Sequence, residues 1–254
     1  MISLAGKAAL VTGGSRGIGA ATVKLFAQAG ADVVFNYHRN REAAAQVEQE
    51  ARKHGTRIES SKADLAKMQE AARLVEFARE RLGRLDILVA NAGIWTEKDA
   101  PIEELTEREW DEMIRVNLKS VYAVIHCAVP HMIAQGGGRI AAVSSVAGQR
   151  GTALHTHYAA AKGAIISFTK GLAVELARHN ILVNCVAPGF VDTDIWRGVS
   201  KDKNKVKKWL EAYPLKRVAK PEEVAGPILF AVSDLATFVT GEVINVNGGS
   251  FPCG

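Results

Sequence analysis

Cysteine is scarce in this chain, and what there is stands apart. The 254 residues hold three, Cys127, Cys185 and Cys253, odd in number, distant and without a CxxC pair. That excludes a disulfide framework and a structural zinc site of the usual spacing. The histidines do not fill the gap. His155 and His157 stand two apart and His126 and His131 five apart, with no cysteine or carboxylate at a zinc-site distance, so no metal site is expected. Long apolar runs are also missing: nothing approaches the ~18–20 residues that span a bilayer. The opening MISLAGKAALVTGG carries no charged region ahead of an apolar segment. Neither a membrane span nor a signal peptide is therefore expected, and the protein is assigned to the cytoplasm. Linkers, repeats and low-complexity tracts are absent too, which points to one domain over residues 1–254.

Charge excludes less. The net charge is +5, part of it in KDKNKVKKWLEAYPLKR at 201–217. Without a nucleic-acid-binding motif beside it, this cluster reads as a solvated helix face, so neither nucleic acid nor membrane is expected as a partner.

What the chain does have is regular alternation. Short apolar runs (AALVTGG, DVVFNY, LDILVANAG, GRIAAVSS, ILVNCVAPG, GEVINVNGG) and a weaker RIESSKADL alternate with helical stretches. One stretch is helical from about Glu107 to Met132, another covers YAAAKGAIISFTKGLAVELARHN, and a third opens with Pro221 just inside its start. Strands apolar on both faces, separated by helices, predict an α/β fold. It is a Rossmann-like, doubly wound parallel sheet of about seven strands with helices on both faces. Ligands of such sheets lie at the carboxyl ends of the strands. The suggestive residues follow strands: TGGSRGIG at 12–19, Asp64, Asn91-Ala92-Gly93, Ser144-Ser145 and Pro188-Gly189.

In TGGSRGIG, Gly13, Gly17 and Gly19 allow a tight turn and a close backbone approach to a pyrophosphate, and the helix behind offers free amides. The spacing is not the strict G-x-G-x-x-G. In HTHYAAAKGA, Tyr158 and Lys162 share a helix face at i and i+4. An ammonium beside a phenol lowers its pKa, which would make Tyr158 a general acid or base near neutral pH.

Taken in order, T-G-x-x-x-G-x-G at 12–19, Asp64-Leu65, Asn91-Ala92-Gly93, Asn117, Ser145, Tyr158-x-x-x-Lys162 and Pro188-Gly189 resemble the short-chain dehydrogenase/reductase family over essentially the whole chain. Its 3-oxoacyl-carrier-protein reductases look most similar. The resemblance implies a nicotinamide cofactor and a homotetramer or homodimer. Tyr158 would exchange a proton with the substrate oxygen, Ser145 hold that oxygen, and Lys162 bond the nicotinamide ribose and lower the tyrosine pKa. Asn117 would anchor a water on a proton path, although its residue type also suits a local helix bond. Ser144 competes with Ser145, but the thirteen-residue spacing to Tyr158 favours Ser145. Asp64 would bond the adenine amino group or cap a helix, and Leu65 lies beside it. Asn91, Ala92 and Gly93 would border the cofactor, as would Ser15, Arg16 and Ile18 in the glycine loop. Pro188, Gly189, Val191 and Thr193 would approach the carboxamide.

An NAD site usually carries an acid about 20 residues past the glycines. Here that region reads Asn36, Tyr37, His38, Arg39 and then Arg41. Arginine forks suit a 2′-phosphate, so NADP(H) is favoured, with NAD(H) possible. The expected substrate is a small carbonyl or alcohol. A flap over 194–213 carries Trp196, Trp209 and Tyr213, and with Trp95 it suits an apolar or ring-bearing ketone. Only Arg139 stands next to the fifth strand, with Arg178 and His179 further on, which leaves docking to an acyl carrier protein in doubt. The alternatives are an NAD-dependent polyol, sugar or steroid alcohol dehydrogenase and a non-enzymatic nucleotide sensor.

Overall fold

In the computed structural model, which describes residues 2–194, 206–207, 210–211 and 213–253, seven strands form one parallel sheet ordered β3-β2-β1-β4-β5-β6-β7. They are β1 (Ala8–Val11), β2 (Asp32–Tyr37), β3 (Ile58–Lys62), β4 (Ile87–Ala90), β5 (Gly138–Val143), β6 (Ile181–Pro188) and β7 (Val243–Val246). The central strands are buried along their whole length because helices cover both faces. On one side α1 (Gly17–Gln28), α2 (Arg41–Arg52) and α8 (Pro221–Val232) contribute Val23, Phe26, Val47 and Ile228 to a core with Phe35 of β2. On the other, α3 (Met68–Leu82), α5 (Ser120–Ala134) and α7 (Thr156–Leu176) pack Leu74, Val124 and Ile165 against Leu10 and Ile140. Each such fully buried side chain contributes roughly 1.5–3 kcal/mol.

Strand order reverses beside β1, which pairs with β2 on one side (Ala8 with Asp32) and β4 on the other (Ala9 with Ile87). The chain therefore leaves β1 and β4 in opposite directions and a cleft opens between the loops.

The helix expected over 107–132 is not one regular helix. Residues Glu107–Ile114 form α4, and Arg115–Lys119 form a π turn before α5. Thr106 and Glu109 close a capping box at the start of α4. The long helix expected to reach Asn180 ends as α at Leu176, because Ala177–His179 tighten into a 3-10 turn and Asn180 takes a left-handed conformation. A short helix, α6 (Val146–Arg150), follows Ser145 directly. Among the described residues no helix is long and apolar enough to cross a membrane. Trp196 and Trp209 lie outside the described residues, with most of the expected flap.

Candidate active site

A cleft of about 1340 Å³ runs along the carboxyl ends of the strands. Every expected site residue lines it, from Gly13 and Ser15 to Val191 and Thr193, together with Asn117, Ser145, Tyr158 and Lys162.

The glycine loop is held from below. The Asn36 side chain, fully inside the protein, accepts from the Gly13 amide (2.8 Å) and donates to the Ala63 carbonyl (3.1 Å). Asn36 thus ties β1, β2 and β3 together at their ends, a structural role that its position in the sequence did not reveal. A Cβ at Gly19 would stand 2.1 Å from the Gly13 carbonyl oxygen, so that close approach admits glycine alone. No side chain caps the start of α1, and its first amides face the cleft with the positive end of the helix dipole. The loop and the helix start behind it have the backbone shape and donors that suit a pyrophosphate, and the residues present fit a dinucleotide.

At the end of the cleft beside β2, Tyr37 closes the strand and His38 and Arg39 are exposed at the rim. Arg16 reaches Asp194 at 3.4 Å, both largely exposed. Asp64 does not cap α3. The chain makes a turn first, with Lys67 donating to the Asp64 carbonyl, and α3 begins at Met68. The Asp64 carboxylate accepts from the Ala66 amide (3.2 Å) and meets Arg115 at 3.4 Å.

At the other end the polar groups are buried. Thr12 accepts from the Asn91 and Ala92 amides (2.8 and 2.9 Å), which locks β1 to the turn after β4. Asn91 donates its side-chain amide to the Thr12 carbonyl (2.8 Å) and so orders backbone. Asn117 sits in the π turn, completely buried. It makes the local bond, to the Met113 carbonyl (3.2 Å), and also accepts from the Ile94 amide (3.1 Å). The π turn is what carries its side chain across to the loop after β4, as such bulges do at functional sites. A Cβ on Gly93 would lie 2.6 Å from the Asn117 oxygen and 3.5 Å from the Lys162 ammonium.

The two serines separate cleanly. Ser144 donates to the Lys162 carbonyl (2.7 Å) and braces α7. Ser145 caps α6 through the Ala147 amide and hydrogen-bonds Tyr158. Lys162 lies on the Tyr158 side, its ammonium 5.8 Å from the ring centre, and donates to the Val143 carbonyl (2.9 Å). In this structure burial outweighs the depression of the tyrosine pKa that the spacing suggested. Enclosure by protein pushes Tyr158 up to about 12, against the Ser145 hydrogen bond, and burial pushes Lys162 down to about 8. Helical spacing put the two on one face, but the ammonium is turned to a strand carbonyl, and desolvation of both groups wins. The phenol is therefore protonated at neutral pH and the lysine still largely charged.

Two hydroxyls, of Ser145 and Tyr158, thus meet above a buried cation in the wall of a dinucleotide-sized cleft. A family model described as enoyl-(acyl carrier protein) reductase matches residues 13–250. The chain is 41% identical over 247 residues to the 3-oxoacyl-(acyl-carrier-protein) reductase FabG of Chlamydia muridarum, covering 97% of this chain and 98% of that one. It is 40% identical over 250 residues to the FabG of Aquifex aeolicus, covering 98% and 99%. Among solved structures, carveol dehydrogenase from Mycobacterium avium in complex with NAD superposes with a TM-score of 0.92 at 29% identity, covering 98% of this chain and 99% of that one.

Proposed function

Because this chain belongs to the short-chain dehydrogenase/reductase family, we propose that it is an NADP(H)-dependent carbonyl reductase, with 3-oxoacyl compounds among its substrates. The observation that carries the reading is the meeting of the Ser145 and Tyr158 hydroxyls beside Lys162. NADPH, when bound, supplies the hydride. The glycine loop and the start of α1 would hold its pyrophosphate, with Arg16, His38 and Arg39 near the 2′-phosphate. Asp64 and Leu65 would face the adenine. Thr193, Val191 and the Pro188–Gly189 turn would border the nicotinamide.

Ser145 donates a hydrogen bond to the substrate carbonyl and fixes its direction. Tyr158 gives its proton to the oxygen as alkoxide character develops. The phenol keeps its proton at neutral pH, so Tyr158 holds the proton that this step transfers. Lys162 keeps positive charge beside the phenolate that remains. Asn117 orders the loop after β4 and would hold a water through which Tyr158 is reprotonated.

Free ketones or esters are candidate substrates beside a 3-oxoacyl group carried on a protein. Arg139 is already engaged, donating to the Gly138 and Asn180 carbonyls (3.0 and 3.4 Å). Arg178 is bonded to His179 (3.1 Å). The reading includes a homotetramer in the cytoplasm. Exposed apolar side chains support the assembly: Tyr122 and Ile133 on α5, Val174 on α7, and Leu235 and Phe238 near the carboxyl end.

The test is a paired titration with NADPH and NADH read by nicotinamide fluorescence, followed by turnover of 3-oxo esters. Tighter NADPH and ester reduction support the proposal. Preferred NADH with oxidation of polyols would replace it by the alcohol-dehydrogenase reading.

A further inference from the structure

Trp95 and His155 form a wall beside Tyr158 that the chemistry above does not use. Trp95 follows the Asn91–Gly93 turn and His155 precedes α7; both line the cleft. Their rings stack with centres 4.0 Å apart and planes 13° from parallel. The indole and the Tyr158 ring also meet nearly at right angles, their centres 4.7 Å apart. His155 is only 6% exposed, and its Nε2 lies 3.1 Å from the Thr96 carbonyl. A carbonyl only accepts, so Nε2 carries the proton and the ring plane is fixed. The indole plane is fixed with it.

Two further features mark the wall as something other than packing. Leu154, next to His155 and also lining the cleft, has a φ of +63° and is held by the Ala100 amide at 3.0 Å. That conformation is strained for such a side chain, and strain of this kind gathers at functional sites. The indole Nε1 is buried without a hydrogen-bond partner, a cost that a packing residue such as leucine would not carry.

We propose that Trp95, backed by His155, is a stacking platform that determines specificity, so that the enzyme selects ketones with a planar ring on or next to the carbonyl carbon. This rests on the carbonyl-reductase reading above. An indole has two faces. His155 covers one, and the indole lines the cleft beside the hydroxyl that protonates the carbonyl. A planar ring gains a face-to-face contact there without loss of rotamer freedom, whereas a flexible acyl chain must be ordered for the same area.

The experiment compares kcat/KM with NADPH for ethyl benzoylacetate and ethyl 3-oxohexanoate, two 3-oxo esters that differ at the carbonyl substituent. The wild type should favour the aryl ester by about tenfold. Trp95→Leu, which keeps apolar volume but removes the π face, should bring the ratio to within about twofold, mainly through KM, and Trp95→Phe should restore part of it. His155→Leu should lower the ratio less. No aryl preference in the wild type, or an equal loss for both esters in Trp95→Leu, overturns the platform. Calorimetric titration of acetophenone into the protein with NADP+ reads the platform without turnover. Binding that weakens in Trp95→Leu supports it even if neither ester is reduced, which would overturn the reductase reading alone. No binding to the wild type, alongside ester reduction, overturns the platform and leaves that reading standing.

Discussion

At one end of the cleft Lys162 and Asn117 are buried and spend their hydrogen bonds inside the protein, on Val143, Met113 and Ile94. At the other end His38 and Arg39 are exposed. They act on Glu70 and Glu112 only through space, behind the hydrogen bonds from the Asp64 backbone and from Arg115 that hold those carboxyls low. The first end is preorganised and intolerant of change. The second is a set of exposed basic side chains whose worth depends on what anion arrives. In the function proposed above, geometry would fix the chemistry at one end and charge would set the cofactor preference at the other.

The largest break in that comparison is Tyr158→Phe. Removal of the proton donor should cut kcat by about 10³ or more, while NADPH binding read by nicotinamide fluorescence stays within about twofold. Turnover near the wild-type rate would remove Tyr158 as the acid. Next comes Asn117→Leu, similar in size but without polar atoms. It leaves the Ile94 amide without its acceptor, which should lower stability by about 1–3 kcal/mol in urea unfolding. Turnover should fall as well, because Gly93 and Lys162 lose their neighbour. Unchanged stability would mean that the π turn is not held by this bond.

The two ends also differed in how far the sequence reached them. The sheet was legible because each apolar run had only one way to be covered on both faces, and the strand-end positions of Gly13, Asn91, Ser145 and Pro188 followed from that alone. Tyr158 and Lys162 were legible as a pair on one face, yet the direction of the tyrosine shift was not. Spacing gives proximity, but the pKa depends on desolvation and on where the ammonium points. The π turn at Asn117 was not read from the sequence, where Glu107 to Met132 passed as one helical stretch. Asn36 was noticed for the acid it is not, whereas its work is to hold the Gly13 amide. Asp64 suited a cap by residue type, but the turn between it and Met68 was invisible without coordinates.

At the loose end, Arg39→Ala should weaken NADPH by about tenfold and NADH by less than about twofold, because one charge-assisted contact to the 2′-phosphate is lost. The same fluorescence titration measures both. Equal losses would take Arg39 out of the phosphate site and leave it to Arg16 and His38.

The smallest effect is a slope, and it tests whether the buried end carries the strain assigned to it. Burial lowers Lys162 from 10.5 to about 8. Between those values the unfolded chain binds more protons than the folded one, so unfolding free energy rises with pH. The cost of burying the ammonium is present below about 8 and relieved as the lysine deprotonates. Burial raises Tyr158 from 10.0 to about 12, with Ser145 pulling the other way. There the folded state binds more protons, and stability falls as pH rises above 10. Burial also raises the Cys185 thiol from 9.0 to about 11, which opposes the lysine slope above pH 9, so the two effects are read from the variants and not from the position of the maximum. Lys162→Met should remove the rise, about 1 kcal/mol between pH 8 and 9, and Tyr158→Phe the fall beyond 10. Urea midpoints taken at half-unit steps would read both. A wild type and a Lys162→Met variant that keep the same difference from pH 8 to 10 would mean that the ammonium is solvated through the cleft and that the tight end is less closed than its hydrogen bonds suggest.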